Sequence, residues 1–149
     1  MSEEAREMAF AVRAATSDEM EAIQATWDAI DFVRSADGDL VLVAIEARGE
    51  RVGQGRLVRL EAGHVELGGM WVRDDWRGRG VARALVRSLL DAAGAEAVWC
   101  VPWADLADYY RALGLSVVAR EVDAPEAIRA KLAHCRGRYA RAVTLLRRP

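Results

Sequence analysis

The chain has 149 residues, 52% hydrophobic and 30% charged, with a formal net charge of −2, and a chain of that length is expected to form one domain over residues 1–149 that buries about 68–70% of its unfolded surface. The slightly acidic balance argues against a general nucleic-acid binder, which needs a basic face. The longest unbroken apolar run, Leu40 to Ile45, is far too short to span a bilayer, so neither nucleic acid nor a membrane is an expected partner and a cytoplasmic location is expected.

The start from Met1 to Glu7 is polar and mostly acidic. Phe10 to Ala15 follows as a short strand. Thr16-Ser17-Asp18-Glu19 then supplies capping side chains ahead of Met20, Ile23, Trp27 and Ile30, a spacing that predicts a helix of about three turns. Asp31 to Gly38 is polar, with room for one more short turn. Leu40 to Glu46 reads as a buried strand, Ala47 to Glu50 as a hairpin turn around Gly49, and Arg51 to Leu60 as the returning strand. After a turn at Glu61-Ala62-Gly63 comes a strand from His64 to Arg73 whose apolar residues change parity. Val65 and Leu67 are odd, Met70 and Val72 even. One extra residue must be absorbed between them, and a β-bulge at Gly68-Gly69 does this at least cost. The competing reading is a hairpin turn at the same pair.

The segment Arg77-Gly78-Arg79-Gly80-Val81-Ala82 joins that strand to an amphipathic helix whose buried face is Val81, Ala82, Leu85, Val86, Leu89, Leu90 and Ala93. Glycines at such a junction let the backbone turn tightly and admit a ligand closely, and the free N–H groups of the helix start make an anion site suited to phosphate. The spacing has no Gly-Lys-Ser/Thr ending for a P-loop, and a dinucleotide fingerprint counted from Gly78 meets Arg83 where Gly or Ala is required. Arg77-x-x-Gly80-x-Ala82 instead resembles the Q/R-x-x-G-x-G/A signature of the GNAT superfamily of N-acyltransferases, and Met70-Trp71-Val72 resembles that family's apolar-x-Val strand end.

Beyond the helix, Glu96 to Val101 is a strand ended by Pro102, and Ala104 to Leu113 is a helix stopped by Gly114. Leu115 to Val122 is a strand, Pro125 to Cys135 a helix, and Tyr139 to Leu146 a last strand. The order predicts an α/β domain with a mixed, mostly antiparallel sheet of about seven strands, flanking helices and a bulged central strand, which is the GNAT order. The resemblance covers nearly the whole chain and is strongest from Glu66 to Leu115. Cys100 and Cys135 lack CxxC or Cys/His spacing and read as reduced thiols. With His64 and His134 the only histidines, no metal site is expected. Lys131 is the single lysine among 21 basic residues, which reads as a coding bias before a function.

The resemblance implies that acetyl-CoA is the acyl donor. Met70, Trp71, Val72, Arg77, Gly78, Arg79, Gly80, Val81, Ala82 and Arg83 would bind it, and backbone groups freed by the bulge would hold its pantetheine arm and polarise the thioester carbonyl. Arg79, Arg83 and Arg87 form a row that repels itself slightly unless an anion lies near.

Tyr110, within Tyr109-Tyr110-Arg111-Ala112-Leu113-Gly114-Leu115, aligns with the family's general acid, Leu115 standing where Phe is usual; the same tyrosine shares helical spacing with Leu106 and Leu113 and also reads as a core aromatic. Glu66 aligns with the family's base, acting directly or through water, or else is a solvent-facing strand residue; His64 is an alternative base. Trp103 replaces an asparagine common in the family, and Asp74 a proline.

The expected acceptor is a primary amine on a small molecule or peptide, attacked in a ternary complex without a covalent enzyme intermediate. Trp27, Asp28, Asp31, Trp71 and Trp103 suit a cationic amine, but they read first as core aromatics and solvated acids. The alternative activity is a non-catalytic acetyl-CoA-binding regulatory module. A second copy of the chain is a further partner that the resemblance implies.

Overall fold

The computed structural model describes Ser2 and residues 9–149; the acidic N-terminal segment lies otherwise outside the described residues. In chain order the elements are β1 (Phe10–Ala14), α1 (Met20–Ala29), β2 (Leu40–Glu46), β3 (Arg51–Arg59), β4 (His64–Val72), α2 (Val81–Ala93), β5 (Ala97–Cys100), α3 (Ala107–Ala112), β6 (Ser116–Val117), α4 (Glu126–Arg138) and β7 (Leu146–Arg148). They form a seven-stranded sheet in the order β1-β2-β3-β4-β5-β7-β6. Of its neighbouring pairs only β4 and β5 run parallel.

Local chemistry sets the helix ends. Thr16 and Glu19 make a reciprocal capping box over a 3-10 turn that leads into α1. The Glu19 carboxylate accepts from the Thr16 N–H at 2.8 Å and is gripped by Arg13. α2 starts after Gly80, whose φ of 85° suits glycine. Its last carbonyls, Leu90 and Gly94, are capped by the Arg148 guanidinium at 2.9 and 2.6 Å.

The two faces of the sheet are covered differently. Leu85, Val86 and Leu89 of α2 pack over Leu57, Val65, Leu67 and Val98 of the sheet, all buried, each large side chain contributing about 1.5–3 kcal/mol by burial. On the other face α1 packs Ile23 and Trp27 against Val41 and Val43. There too α4 packs Ile128 and Leu132 against Trp99 and Leu145.

The expected bulge is present in β4. Gln54 of β3 stands opposite Trp71 and Arg56 opposite Gly68, so two residues of β3 face a step of three on β4. The extra residue is absorbed beside Gly69, in the left-handed region at φ 64°. It moves the inward parity from Val65 and Leu67 to Met70, which then packs under α2 with Val72. The hairpin reading of Gly68-Gly69 fails, because one strand runs unbroken from His64 to Val72.

The C-terminal strands differ from expectation. β6 holds only Ser116 and Val117, and residues 121–123 form a 3-10 turn. Val117 and Val122 lie exposed, so an apolar run at a sheet edge has no second layer to bury it. The final strand starts at Leu146, where residues 139–146 were the expectation. Arg147 stacks on Trp99 at 4.8 Å and Arg148 caps α2, so two arginines occupy strand positions without exposing charge to an apolar core. α3 is shorter than predicted, residues 104–106 being a 3-10 turn, and α4 runs on to Arg138.

Candidate active site

β4 pairs with β5 from His64 opposite Ala97 to Leu67 opposite Cys100. Past Leu67 the two strands part, so Gly68 to Val72 have β3 on one side and no β5 partner on the other. A parallel pair that splays in this way exposes backbone N–H and C=O groups in the middle of a sheet. The bulge at Gly69 lies in this unpaired half.

At the far end of β4, a 3-10 turn at Asp74–Trp76 leads into the glycine-rich turn. Gly78 and Gly80 both have positive φ, 77° and 85°, and a Cβ at either would meet no heavy atom within 4 Å. The glycines are needed for conformation, and the space above them is open. No side chain among the described residues caps the start of α2; its first backbone bond runs from the Ala84 N–H to the Gly80 carbonyl at 3.0 Å. The N–H groups of Val81, Ala82 and Arg83 therefore have no intrahelical acceptor. Three arginines surround them: Arg77, paired with Asp74 at 3.1 Å, Arg79, stacked on Trp76 at 4.7 Å, and the exposed Arg83. An open cradle of donors and cations fits a pyrophosphate.

Met70 and Val72 turn towards α2, while Trp71 points to the opposite face, under the Arg51 guanidinium at 5.2 Å. The three residues grouped in the sequence as a cofactor-binding strand end thus serve two faces. Their backbone is shared by both.

Tyr110 sits on α3, 6% exposed, in the core under α2 and edge-on to Tyr109 at 5.3 Å. Its hydroxyl bonds to no described residue. Burial, reinforced by Cys100 and Tyr109, pushes its pKa up, so it stays protonated at neutral pH. Burial likewise pushes the Cys100 thiol up to about 12, which leaves it inert as a nucleophile.

Glu66 lies on the opposite face, only 6% exposed. It is no solvated edge residue. The Lys131 ammonium of α4 donates directly to its Oε2. A Cβ built on Gly68 would lie 3.8 Å from both that oxygen and Lys131 Nζ, which sets the pair over the point where β4 and β5 part. His64, two residues back on the same face, accepts at Nδ1 from Trp99 Nε1 at 3.0 Å and stacks on that indole. Its nearer role is to hold Trp99.

The residues suggested for the acceptor divide. Trp27 is fully buried and bonds the Gly69 carbonyl, so it supports the bulge from beneath. Asp28 pairs with Arg34 at 3.6 Å, and Asp31 is taken by Arg138 of α4. Trp103 packs against Tyr139 at 5.3 Å and Arg141 at 4.8 Å and bridges Val143, which directs it towards the C-terminal segment.

Three residues that sequence reasoning passed over build this face. Gln54 is fully buried and reaches the Ile23 carbonyl at 3.1 Å. Arg56, 6% exposed, lies over Trp27 at 4.2 Å and donates to the Val33 carbonyl at 2.6 Å, while its Nη1 has no partner among the described residues. The third is Lys131. A signal for the first two exists in their shared parity, since Gln54 and Arg56 fall between the apolar Val52 and Val58 on the same face of the strand. Among the described residues no group of three or more His, Cys, Asp or Glu side chains is placed to hold a metal, and no helix is long and apolar enough to cross a membrane.

Comparison with known proteins places the fold. The fold aligns with an N-acetyltransferase structure from Lactobacillus plantarum at a TM-score of 0.70 and 16% identity, covering 94% of this chain and 97% of that one. It aligns equally, at 0.70 and 16%, with Rv2747 from Mycobacterium tuberculosis in complex with CoA and NLQ, covering 93% and 98%. The N-acetylglutamate synthase of Neisseria gonorrhoeae, complexed with coenzyme A and N-acetyl-glutamate, aligns at 0.69 and 16% over 94% of this chain but 35% of its own. Identities this low establish the fold alone. Among curated proteins none matches the chain in sequence. Residues 4–115, however, match the Acetyltransferase (GNAT) family directly, a span that includes β4, its bulge, the glycine-rich turn and Tyr110, and the chain belongs to that family.

Proposed function

We propose that the chain is an N-acetyltransferase that moves an acetyl group from acetyl-CoA to a primary amine by direct attack in a ternary complex. The observation that carries the reading is the splay of β4 from β5 beyond Leu67, with a bulge in its unpaired half and an uncapped helix start at its end. An extended thioester fits such a slot as an added strand-like partner, bonding backbone along Gly68 to Val72. Its pyrophosphate would rest on the free N–H groups of Val81, Ala82 and Arg83, with Arg77 and Arg79 beside them.

Glu66 and Tyr110 lie on opposite faces of the sheet, one bonded to α4 and the other packed under α2, which suits two opposite proton tasks. Glu66, already bonded to an ammonium, takes a proton from the incoming amine. Tyr110, kept protonated by its burial, donates a hydrogen bond to the departing thiolate sulfur. Each such group contributes typically 10²–10⁴-fold to rate. The acceptor approaches on the face of α1 and α4, where Glu66, Trp71 and Arg56 lie.

Thermal unfolding with acetyl-CoA, against adenosine 3′,5′-bisphosphate and NAD, tests the reading. A ligand at about 100 times its Kd stabilises by about 2.7 kcal/mol, so acetyl-CoA should raise Tm clearly and NAD should not. Release of free thiol on adding a panel of primary amines then identifies the acceptor. No rise with millimolar acetyl-CoA would defeat the proposal.

A further inference from the structure

We infer that Lys131 is an acetyl acceptor in its own right, acetylated in cis by the same site. The inference rests on the acyltransferase reading above.

Lys131 is the only lysine in a chain with 21 basic residues. Every other described ion pair of a basic side chain is made by an arginine. An ion pair serving only to hold α4 on the sheet would, by this chain's own habit, use arginine, whose planar fork binds a carboxylate at least as well. Lysine differs in one chemical respect that matters here, since it can lose a proton and become a nucleophile while arginine cannot.

Its placement gives that difference a use. Nζ donates to Oε2 of Glu66 on the acceptor face, and both atoms stand 3.8 Å from a Cβ built on Gly68, the first residue of β4 beyond the last β5 pair. The amine therefore occupies the position that an acceptor's amine must take up. Its side chain is 37% exposed, so the amine is open to a reagent on its solvent side.

The step balances. Lys131 gives one proton to the Glu66 carboxylate; the freed Nζ forms a bond to the thioester carbonyl carbon as the carbon–sulfur bond breaks. The second proton leaves the new amide nitrogen for the coenzyme A thiolate. The products are N-acetyl-lysine and free thiol, and Glu66 returns its proton to solvent. The acetylated side chain carries no charge, so Glu66 is released from its ion pair.

The test is incubation of the intact folded chain with acetyl-CoA and no added amine, read by whole-protein mass and by peptide mapping. The expected result is one acetyl group on Lys131, gained at a rate independent of protein concentration and at least about tenfold faster than in the urea-unfolded chain, because the folded site holds amine and thioester together. Lys131→Arg should remove that modification, and Glu66→Gln should slow it. Acetyl-CoA that raises Tm but leaves Lys131 unmodified would overturn the inference and leave the acyltransferase reading standing. A rate equal to that of the unfolded chain, or one that rises with protein concentration, would overturn it too. If acetyl-CoA neither raises Tm nor modifies Lys131, both fail together.

Discussion

Trp27 Nε1 donates to the carbonyl of Gly69 at 2.8 Å, so α1 is bonded directly to the bulged residue of β4. That indole also carries the Arg56 guanidinium on its face at 4.2 Å. One buried side chain thus fixes both the bulge and the Arg56 guanidinium. Trp27→Phe keeps a ring for Arg56 but leaves the Gly69 carbonyl without its donor, at an expected cost of about 1–3 kcal/mol in urea unfolding. Trp27→Ala removes the ring as well and should cost about 3–5 kcal/mol. A Phe variant as stable as the parent would show that the bond to Gly69 contributes nothing.

Two glycines with positive φ separate conformational strain from crowding. At Gly80, φ 85°, an added Cβ meets nothing within 4 Å, so Gly80→Ala should cost about 1–2 kcal/mol from backbone strain alone. At Gly69, φ 64°, the same Cβ would lie 3.0 Å from a Trp27 ring carbon and 3.1 Å from Arg56 Nε. Gly69→Ala should therefore destabilise more than Gly80→Ala, because strain and a displaced indole add. Gly80→Ala should in turn weaken acetyl-CoA binding beyond its stability cost. Equal losses of stability in the two variants would contradict the packing beneath the bulge.

The bulge is legible in the chain because the apolar parity of β4 breaks between Leu67 and Met70 with two glycines at the break. The turn is legible because Gly78 and Gly80 fall where a strand meets an amphipathic helix. What pairs across the fold is not. Glu66 and Lys131 are 65 positions apart, and no local pattern announces their contact; a lone lysine among arginines reads as composition until its partner is seen. The C-terminal strands mislead for a different reason. Arg147 and Arg148 look like a polar tail, yet one stacks on Trp99 and the other satisfies the helix α2 carbonyls, both long-range contacts.

Tyr110→Phe deletes one oxygen and leaves the ring that packs in the core under α2. If the hydroxyl serves the departing thiolate, turnover should fall by about 10²-fold or more while acetyl-CoA affinity stays within about threefold. Steady-state kinetics alongside calorimetric titration would separate the two. A variant with unchanged turnover would leave the tyrosine only its packing role.

Alkaline stability should reflect Cys100. In the folded chain burial pushes its thiol up to about 12, whereas an unfolded cysteine ionises near about 8.5. The folded state then binds the proton more tightly, and the contribution is complete below the unfolded value. It is lost as pH rises between the two, by about 1.4 kcal/mol per pH unit for one proton. Cys100→Ala starts from a lower stability at neutral pH because it leaves a cavity. Its decline between pH 9 and pH 10.5 should nevertheless be shallower by about one proton's share. Parallel curves for the two proteins would mean that the thiol is ionised in the folded state as well.

The acid limb should depend on the capping box. Arg13, then the Thr16 backbone N–H, hold the Glu19 carboxylate down to about 2, against about 4.3 for an unfolded glutamate. The sign is opposite to that of Cys100: the stabilisation is present above the unfolded value and disappears as pH falls through the folded one. Between pH 4.5 and pH 2 the parent should lose stability that Glu19→Gln has already lost at pH 7, so the two unfolding curves converge as pH falls. Urea midpoints measured at pH 7, 4 and 2.5 would show the gap closing. A gap that persisted at pH 2.5 would place the contribution of Glu19 in its packing and not in its charge.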